Sequence, residues 1–455
     1  MTYKTNLYVE KQDNNSIGLM HRANELKSID HIGKNVTIRG WVYRLRKQKE
    51  NTFVILRDDR GGIIQSVFPS SSIPVNLTVE SSIEVTGVLN KDPRAPEGGY
   101  EIRGTGLKIF NIADANYPIG EFQSIELLLD NRHLALRTRR MIAVAKIRAS
   151  ILKFARNWFI TNDWIEVTAP IIVRGAVEGG STLFKVKYFN NDYAYLSQSA
   201  QLYLEAMVFC LGSVWSLTPS FRAESSRTVR HLSEFTHLEA EAPWVDLEEI
   251  LKVQEQLVSY IVENVIAERK DEFALLKRDI SGFKSLRPPF QRIAYEKAIE
   301  TLRLKDFTIV DETGRSRKIE LGDDLNIDSE RELSKNLSKP LFVVGYPIAV
   351  KPFYVKEDPQ NKGYGLAADM LAPDGFGEIT SGGIREDDSL SITKKMEKEG
   401  LDITSYQWYL DLRRYGSVPH GGFGLGIERL MRWITRIDDI KDTILFPRTM
   451  SRVSP

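Results

Sequence analysis

The sequence predicts an α+β protein: a small all-β barrel at the N-terminal end, then a larger domain in which helices flank an antiparallel sheet. Three observations carry this. Five short segments of alternating apolar and polar residues crowd into the stretch that begins near Lys34. A long segment of helical period follows. Beyond it strands and helices alternate irregularly, without the steady βαβ rhythm of a parallel sheet. The expected layout is an extension over 1–26, the barrel over 27–118, a hinge over 119–137 and the large domain over 138–455.

The barrel elements read VTIRGWVYRL, NTFVILRD, GGIIQSVF, SSIEVTGVL and YEIRGTGLKIF, separated by turns such as DDRGG and KDPRAPEGG. Short β-rich strands bounded by Gly, Pro and Asp clusters suit a small closed barrel, for which the OB-fold is the commonest candidate. Its strands are locally basic, with Arg39, Arg44, Arg46, Lys47, Lys49 and Arg57 among them. A cationic groove with aromatic platforms is how such barrels hold single-stranded nucleic acid, and Trp41, Tyr43 and Phe53 are the candidate platforms. The alternative is a solvated barrel wall whose aromatics belong to the core. Residues 1–26 are polar and rich in asparagine, and read as a weakly ordered extension.

The long helix is expected from about Thr138 to Ile160, with Ile142, Val144, Ile147, Ile151, Phe154 and Trp158 at helical spacing. TNDWIEVTAPIIV then reads as a strand interrupted by Pro170, which belongs at an edge or an interface. Composition narrows the function classes. With 42% hydrophobic and 27% charged residues the chain has ample core for a soluble globular protein. Lysine plus arginine number 62 and aspartate plus glutamate 61, so any nucleic-acid footprint has to be local. The single cysteine, Cys210, excludes a disulfide within the chain and reads as a small core residue in the apolar run MVFCLGSVW. No apolar run approaches the length of about 18 residues that a membrane span requires, and no charged-then-apolar leader follows Met1. The chain reads as cytoplasmic, with no membrane partner.

The chemistry is concentrated in four segments. PHGGFGLGIERLMRW, residues 419–433, runs a glycine-rich turn into a helix that opens near Arg429, an arrangement suited to phosphate. No G-x-x-x-x-G-K-[ST] occurs, and the spacing Gly422-x-Gly424-x-Gly426 is not that of a dinucleotide fingerprint. FRAESSRTVRHLSEFTHLE, residues 221–239, reads as two strands joined by a basic loop, aiming Arg222, Arg227 and Arg230 at a polyphosphate. FGEITSGGIR, residues 376–385, offers the oxygen ligands Glu378 and Ser381, with Asp369 just upstream. Carboxylate, hydroxyl and phosphate together are a Mg²⁺ ligand set. VEGG at 177–180 and SQSAQLYLE at 197–205 add Glu178, Gln201 and Glu205. Each segment alone has a bland reading as a surface hairpin, a bulged strand or a helix-surface carboxylate.

Together they resemble the class II aminoacyl-tRNA synthetases. FRAE…RHLSEF looks like motif 2 and GFGLGIERL like motif 3, while the long helix with Pro170 looks like motif 1, the dimer-forming element of that class. The N-terminal OB domain, with VEGG, QLYLE and GEITSGGIR in this order, narrows the resemblance to the aspartyl/asparaginyl branch. It covers about residues 30–450. Aspartyl enzymes of this kind carry Q-L-Y-K where Gln201-Leu202-Tyr203-Leu204 stands, and that lysine helps neutralise the substrate's second carboxylate. Here Leu204 replaces it and Glu205 follows, which implies asparagine as the amino acid.

The resemblance implies ATP-dependent ligation of asparagine to tRNA(Asn) through an adenylate, by a homodimer with Mg²⁺ as cofactor and ATP as substrate. It implies Arg222 and Arg429 as the catalytic residues. It places Arg222, Glu224, Arg230, His231, Leu232, Phe235, Glu378, Gly426, Glu428 and Arg429 around ATP, with Phe235 stacking on adenine. It gives the amino acid to Glu178, Gln201, Glu205, Arg222, Ser381 and Arg385. Within that set Glu178 takes the ammonium group, Arg385 the side-chain oxygen and Glu205 the amide. Mg²⁺ goes to Glu378, Ser381 and Asp369, and the anticodon to Phe53 and Gln65. Besides a pure RNA-binding or regulatory paralogue, which would be expected to have lost Arg222, Glu378 or Arg429, two enzymatic rivals stand beside this reading. One is an aspartyl enzyme, including one that charges both tRNAs. The other is a synthetase-like enzyme that makes asparagine from an aspartyl adenylate and ammonia.

Overall fold

The computed structural model describes residues 21–120, 123–175, 177, 182–224, 229–310 and 314–455. The chain forms two compact units that divide after Ile142.

In the first unit five strands, β1 (Asn35–Lys47), β2 (Asn51–Arg57), β3 (Ile63–Pro69), β4 (Ser82–Lys91) and β5 (Tyr100–Asn111), close into a barrel in the order β1-β2-β3-β5-β4. Closure comes from β4 pairing back onto β1, and only β3 and β5 run parallel. The alternation in sequence is the alternation in space. Val36, Ile38, Val54, Leu56, Ile83 and Val85 fill the interior, while their neighbours along each strand face outward. Ala23 and Leu26, from a short helical turn ahead of β1, are fully buried in the same core. The segment expected as a hinge holds two short helices, Ile125–Asp130 and Arg132–Ala135.

The second unit is built on eight strands: β6 (Ile165–Glu166), β7 (Val214–Phe221), β8 (Glu234–Pro243), β9 (Gln291–Ala294), β10 (Leu341–Val344), β11 (Ala367–Ala372), β12 (Gly377–Ile384) and β13 (His420–Gly426). Their order is β9-β10-β11-β12-β13-β8-β7-β6. The central six are antiparallel, as the irregular rhythm predicts, but both edge pairs, β6–β7 and β9–β10, are parallel. The sheet is therefore mixed. Parallel neighbours need a long crossover, and each edge pair has one containing a helix. Helices α1 (Arg139–Thr161), α2 (Gln201–Leu211), α3 (Leu247–Glu268), α4 (Tyr295–Leu304), α5 (Ile327–Ser334), α6 (Gln407–Arg414) and α7 (Ile427–Thr435) accompany the sheet.

The apolar stripe of α1 is buried as its period requires, with Val144, Ile147 and Ile151 fully covered. The strand interrupted by Pro170 becomes two two-residue pieces, β6 and Ile172–Val173, which join different sheets. Cys210 corrects the expectation of a core position, for it is exposed. The buried stripe of α2 runs through Leu204 and Val208, and a residue two places beyond Val208 points to the opposite side of a helix. No helix among the described residues is long and apolar enough to cross a membrane.

Candidate active site

Strand β13 lies between β8 and β12, and its register organises the site. Gly422 faces Glu241 on one side and Gly383 on the other, and Gly424 faces Glu239 and Ser381. A Cβ at Gly422 would stand 2.4 Å from Glu241 Oε1 and 2.1 Å from the Ala240 carbonyl, and one at Gly424 would stand 2.4 Å from His237 Nε2. The glycines thus leave a floor from which neighbouring strands raise their side chains. Above it lies a cavity of about 250 Å³. From Gly421 to Gly426 the strand advances roughly 17 Å, and the two ends of that run carry different chemistry.

At the Gly426 end the groups are those of a polyanion site. Arg429, on the first turn of α7, donates from Nη1 to Glu378 Oε1 at 2.7 Å. Arg222 continues β7, with its guanidinium 5.4 Å from the centre of the Phe235 ring on β8. His231 Nε2 lies 3.3 Å from Glu224 Oε2. Leu232 and Gly426 line the same cavity. Burial lowers the His231 pKa, and Arg429, Arg230 and Arg222 reinforce this against the pull of Glu224. Burial works against the Glu378 carboxylate, yet Arg429, Arg230 and Lys351 hold its pKa below the usual range.

Two expected nucleotide contacts are already engaged. Arg230 donates to Glu330 Oε2 at 3.0 Å and to the Glu378 carbonyl at 3.2 Å, and the Glu378 amide donates to Glu330 at 2.9 Å. Glu330 on α5 is thereby a clamp beneath the Glu378 turn. Burial and the Glu378 charge push its pKa to about 7, with Arg230 opposing. Glu428 lines the cavity, but its carboxylate pairs with Arg148 at 2.8 Å and accepts from the Thr236 amide at 3.0 Å.

At the Gly421 end the structure rearranges the expected amino-acid pocket. Arg385 is buried and grips Glu241, donating from Nε at 3.1 and 3.2 Å and again from Nη2. Both line the cavity, as do Ser199, Gln201 and Glu239. Glu205, expected to face a substrate amide, is fully buried behind this wall. Its Oε2 accepts from Tyr409 at 2.7 Å, from His420 at 3.0 Å and from Arg413, while Oε1 accepts from Gln201 at 3.0 Å. Arg413 is 208 residues distant in sequence, which is why the local motif does not reveal it. Burial opposes the Glu205 charge, but Arg413 and His420 hold its pKa well below the usual range. Burial raises the Glu241 carboxyl to about 7, against the pull of Arg385 and with the help of Glu205. The acid beside Arg385 on the cavity wall is therefore Glu241. The pattern EAE at 239–241, acids two apart on a strand and so on one face of it, is the signal that marks it.

Ser381 is exposed to the cavity, and Asp369 lies opposite it on β11. Asp369 Oδ2 accepts from the Lys351 ammonium at 2.9 Å. Burial works against that ammonium, but Asp369 and Asp324 raise its pKa. Lys351 and Asp324 line the cavity, and no local motif announces either. Among the described residues no three His, Cys, Asp or Glu side chains converge as a metal cage. Glu178 and Arg227 lie outside the described residues.

On the barrel, Phe53 and Gln65 occupy outward positions of adjacent strands, since Phe53 is opposite Val67 and Ile55 opposite Gln65. Arg46 stands 4.8 Å from the centre of the Phe53 ring. Gln65 donates to the buried Glu101 at 3.0 Å, which fixes its amide at that surface.

The chain is similar to known proteins over both units. Residues 124–450 match the family described as tRNA synthetases class II (D, K and N), and residues 36–110 match the OB-fold nucleic acid binding domain. The chain belongs to the class II aminoacyl-tRNA synthetases, in the group of the aspartate, lysine and asparagine enzymes. A curated relative, the asparagine–tRNA ligase of Thermococcus kodakarensis, is 49% identical over 93% of this chain and 96% of its own. The crystal structure of Pyrococcus horikoshii asparaginyl-tRNA synthetase complexed with asparaginyl-adenylate is 46% identical, covers 96% of this chain and 100% of its own, and has a TM-score of 0.90. The Entamoeba histolytica enzyme in complex with the same adenylate is 34% identical over 93% and 97%, with a TM-score of 0.83. Within the class, the chain belongs to the asparagine–tRNA ligase family.

Proposed function

We infer that this chain activates asparagine with ATP and transfers it to tRNA(Asn). The observation that carries the chemistry is the single cavity joining a cationic end at Arg222 and Arg429 to an Arg385–Glu241 pair at the other. The asparagine α-carboxylate attacks the α-phosphate of ATP in line, and pyrophosphate leaves. The carboxylate is already ionised, so no general base is needed. Positioning and charge neutralisation supply the acceleration. Arg222 meets the α-carboxylate and α-phosphate, Arg429 the terminal phosphate, and Phe235 stacks on adenine. Glu224 and His231 complete the nucleotide contacts. The terminal ribose hydroxyl of tRNA then attacks the adenylate.

Arg385 donates to the side-chain oxygen of asparagine, and Glu241 accepts from its amide. Aspartate would bring a second carboxyl group where asparagine brings an amide donor, losing that hydrogen bond to Glu241 and meeting repulsion as Glu241 ionises, so the pair attracts one substrate and penalises the other. Glu205 supports that pocket from behind through Gln201.

The donor set fits Mg²⁺. The Glu378 carboxylate and the Ser381 hydroxyl are hard oxygens beside a phosphate site, with Asp369 next to them, and Mg²⁺ is usually held by one or two carboxylates plus substrate phosphates. When bound, the ion offsets phosphate charge. In the barrel, Phe53 stacks an anticodon base, and Gln65 with Glu101 reads an edge. We further propose a homodimer in the cytoplasm. The exposed Ile160, Ile165, Ile171 and Ile172 around the Pro170 segment favour a covered face.

The test is ATP–pyrophosphate exchange with Mg²⁺ and asparagine or aspartate. Exchange with asparagine alone is expected. Exchange driven by aspartate would replace the substrate, and asparagine formation without tRNA would replace the reaction.

A further inference from the structure

Lys351 follows a short 3-10 turn, Ile348–Val350, and reaches into the active-site cavity. It is 12% exposed, as is Asp369, and the two form a 2.9 Å ion pair. The ammonium also lies 3.6 Å from the centre of the Tyr346 ring, a cation–π distance. Asp324 lines the same cavity from a separate loop, and Glu378 and Ser381 complete its surroundings. A cation is thus held among the oxygens that a divalent ion and the ATP phosphates would share. Lysine is a compact charge on a flexible stem, able to change partners over several ångströms.

We propose that Lys351 is an exchangeable resident cation of this site. Without nucleotide it neutralises Asp369 and competes with divalent metal for that carboxylate. When metal and ATP enter together it turns onto the phosphates and releases Asp369. This rests on the proposed ATP chemistry and adds a consequence: the enzyme discriminates against free metal ion and favours the metal–nucleotide complex.

Two opposite effects follow from removing the ammonium. In the full-length protein, Lys351→Met should bind free Mn²⁺ about tenfold more tightly by calorimetry without nucleotide, because Asp369 loses its counter-charge. The same variant should bind ATP about tenfold more weakly in saturating Mn²⁺, the loss of one charge-assisted contact. Lys351→Gln keeps a donor for Asp369 and guards against misfolding, with the same two signs expected. Lys351→Arg should restore weak Mn²⁺ binding. In an Asp369→Asn background, Lys351→Met should no longer change Mn²⁺ affinity. Unchanged or weaker Mn²⁺ binding in both neutral variants, with wild-type ATP binding intact, overturns this inference alone. Failure of the wild-type protein to bind ATP overturns the proposed function with it.

Discussion

Replacing Arg413 with Met isolates the most deeply buried charge pair of the amino-acid pocket. Glu205 and Arg413 both have side chains that are 0% exposed, so the variant strands a carboxylate where water cannot solvate it. Removing one partner of a buried ion pair typically costs about 3–5 kcal/mol. Tyr409, His420 and Gln201 still donate to Glu205, which puts the expected loss near the lower end, about 3 kcal/mol. With a urea dependence of about 3 kcal/mol/M, the unfolding midpoint should fall by about 1 M. Tryptophan fluorescence is a suitable probe, because only Trp41 lies in the first unit and the other tryptophans report on the second. Glu205→Gln added to Arg413→Met should recover most of the loss, since the stranded charge is gone. The folded Glu205 pKa lies below its unfolded value, so its contribution is present above about pH 4.5 and is lost as pH falls. That acid-side slope should be shallower in Arg413→Met. A midpoint shift corresponding to less than about 1 kcal/mol, or strictly additive single and double variants, would refute the reasoning.

Three further outcomes are expected. Glu241→Gln should lower the preference for asparagine over aspartate in ATP–pyrophosphate exchange by about tenfold or more, since it removes the acid that accepts from the asparagine amide and disfavours a second carboxyl group; an unchanged ratio would return the role to Glu205. Phe53→Ala should raise the KM for tRNA by about tenfold, from the loss of one stacked base, while leaving exchange without tRNA untouched; a matching fall in exchange would place the defect in folding. The folded pKa of Glu330, about 7, lies above its unfolded value, so the native state retains the proton between about pH 4.5 and 7 and stability declines as pH rises through that window. Glu330→Gln should flatten the decline, which is on the order of 3 kcal/mol, and parallel wild-type and variant profiles from pH 5 to 8 would contradict it.

The elements legible in the sequence are those fixed by local pattern. Period-two alternation gives the barrel strands, because one face of each must enter the core: Val36 and Ile38 alternate with Thr37 and Arg39. Period 3.6 gives α1. Segments of nine to fifteen residues, FRAE…RHLSEF and GFGLGIERL, fix a hairpin and a strand-to-helix turn, and so place Arg222, Phe235 and Arg429 without knowledge of the remainder of the chain. The parallel edges β6 and β9 escaped that reading, since two- and four-residue strands carry too little pattern to reveal a direction.

What the tertiary structure alone decided is which charge meets which. Glu205 stands beside Gln201 in the motif, but its carboxylate belongs to Arg413 and His420, more than 200 residues away. Glu241 takes Arg385 across 144 residues, and Glu330 takes Arg230 across 100. Asp369, an apparent metal ligand by its place upstream of Glu378, is paired with Lys351. The physical reason is one throughout. A hydrophobic pattern repeats along the chain and declares its face locally. A buried charge is defined by the partners that compensate it, and only the folded chain brings them within reach.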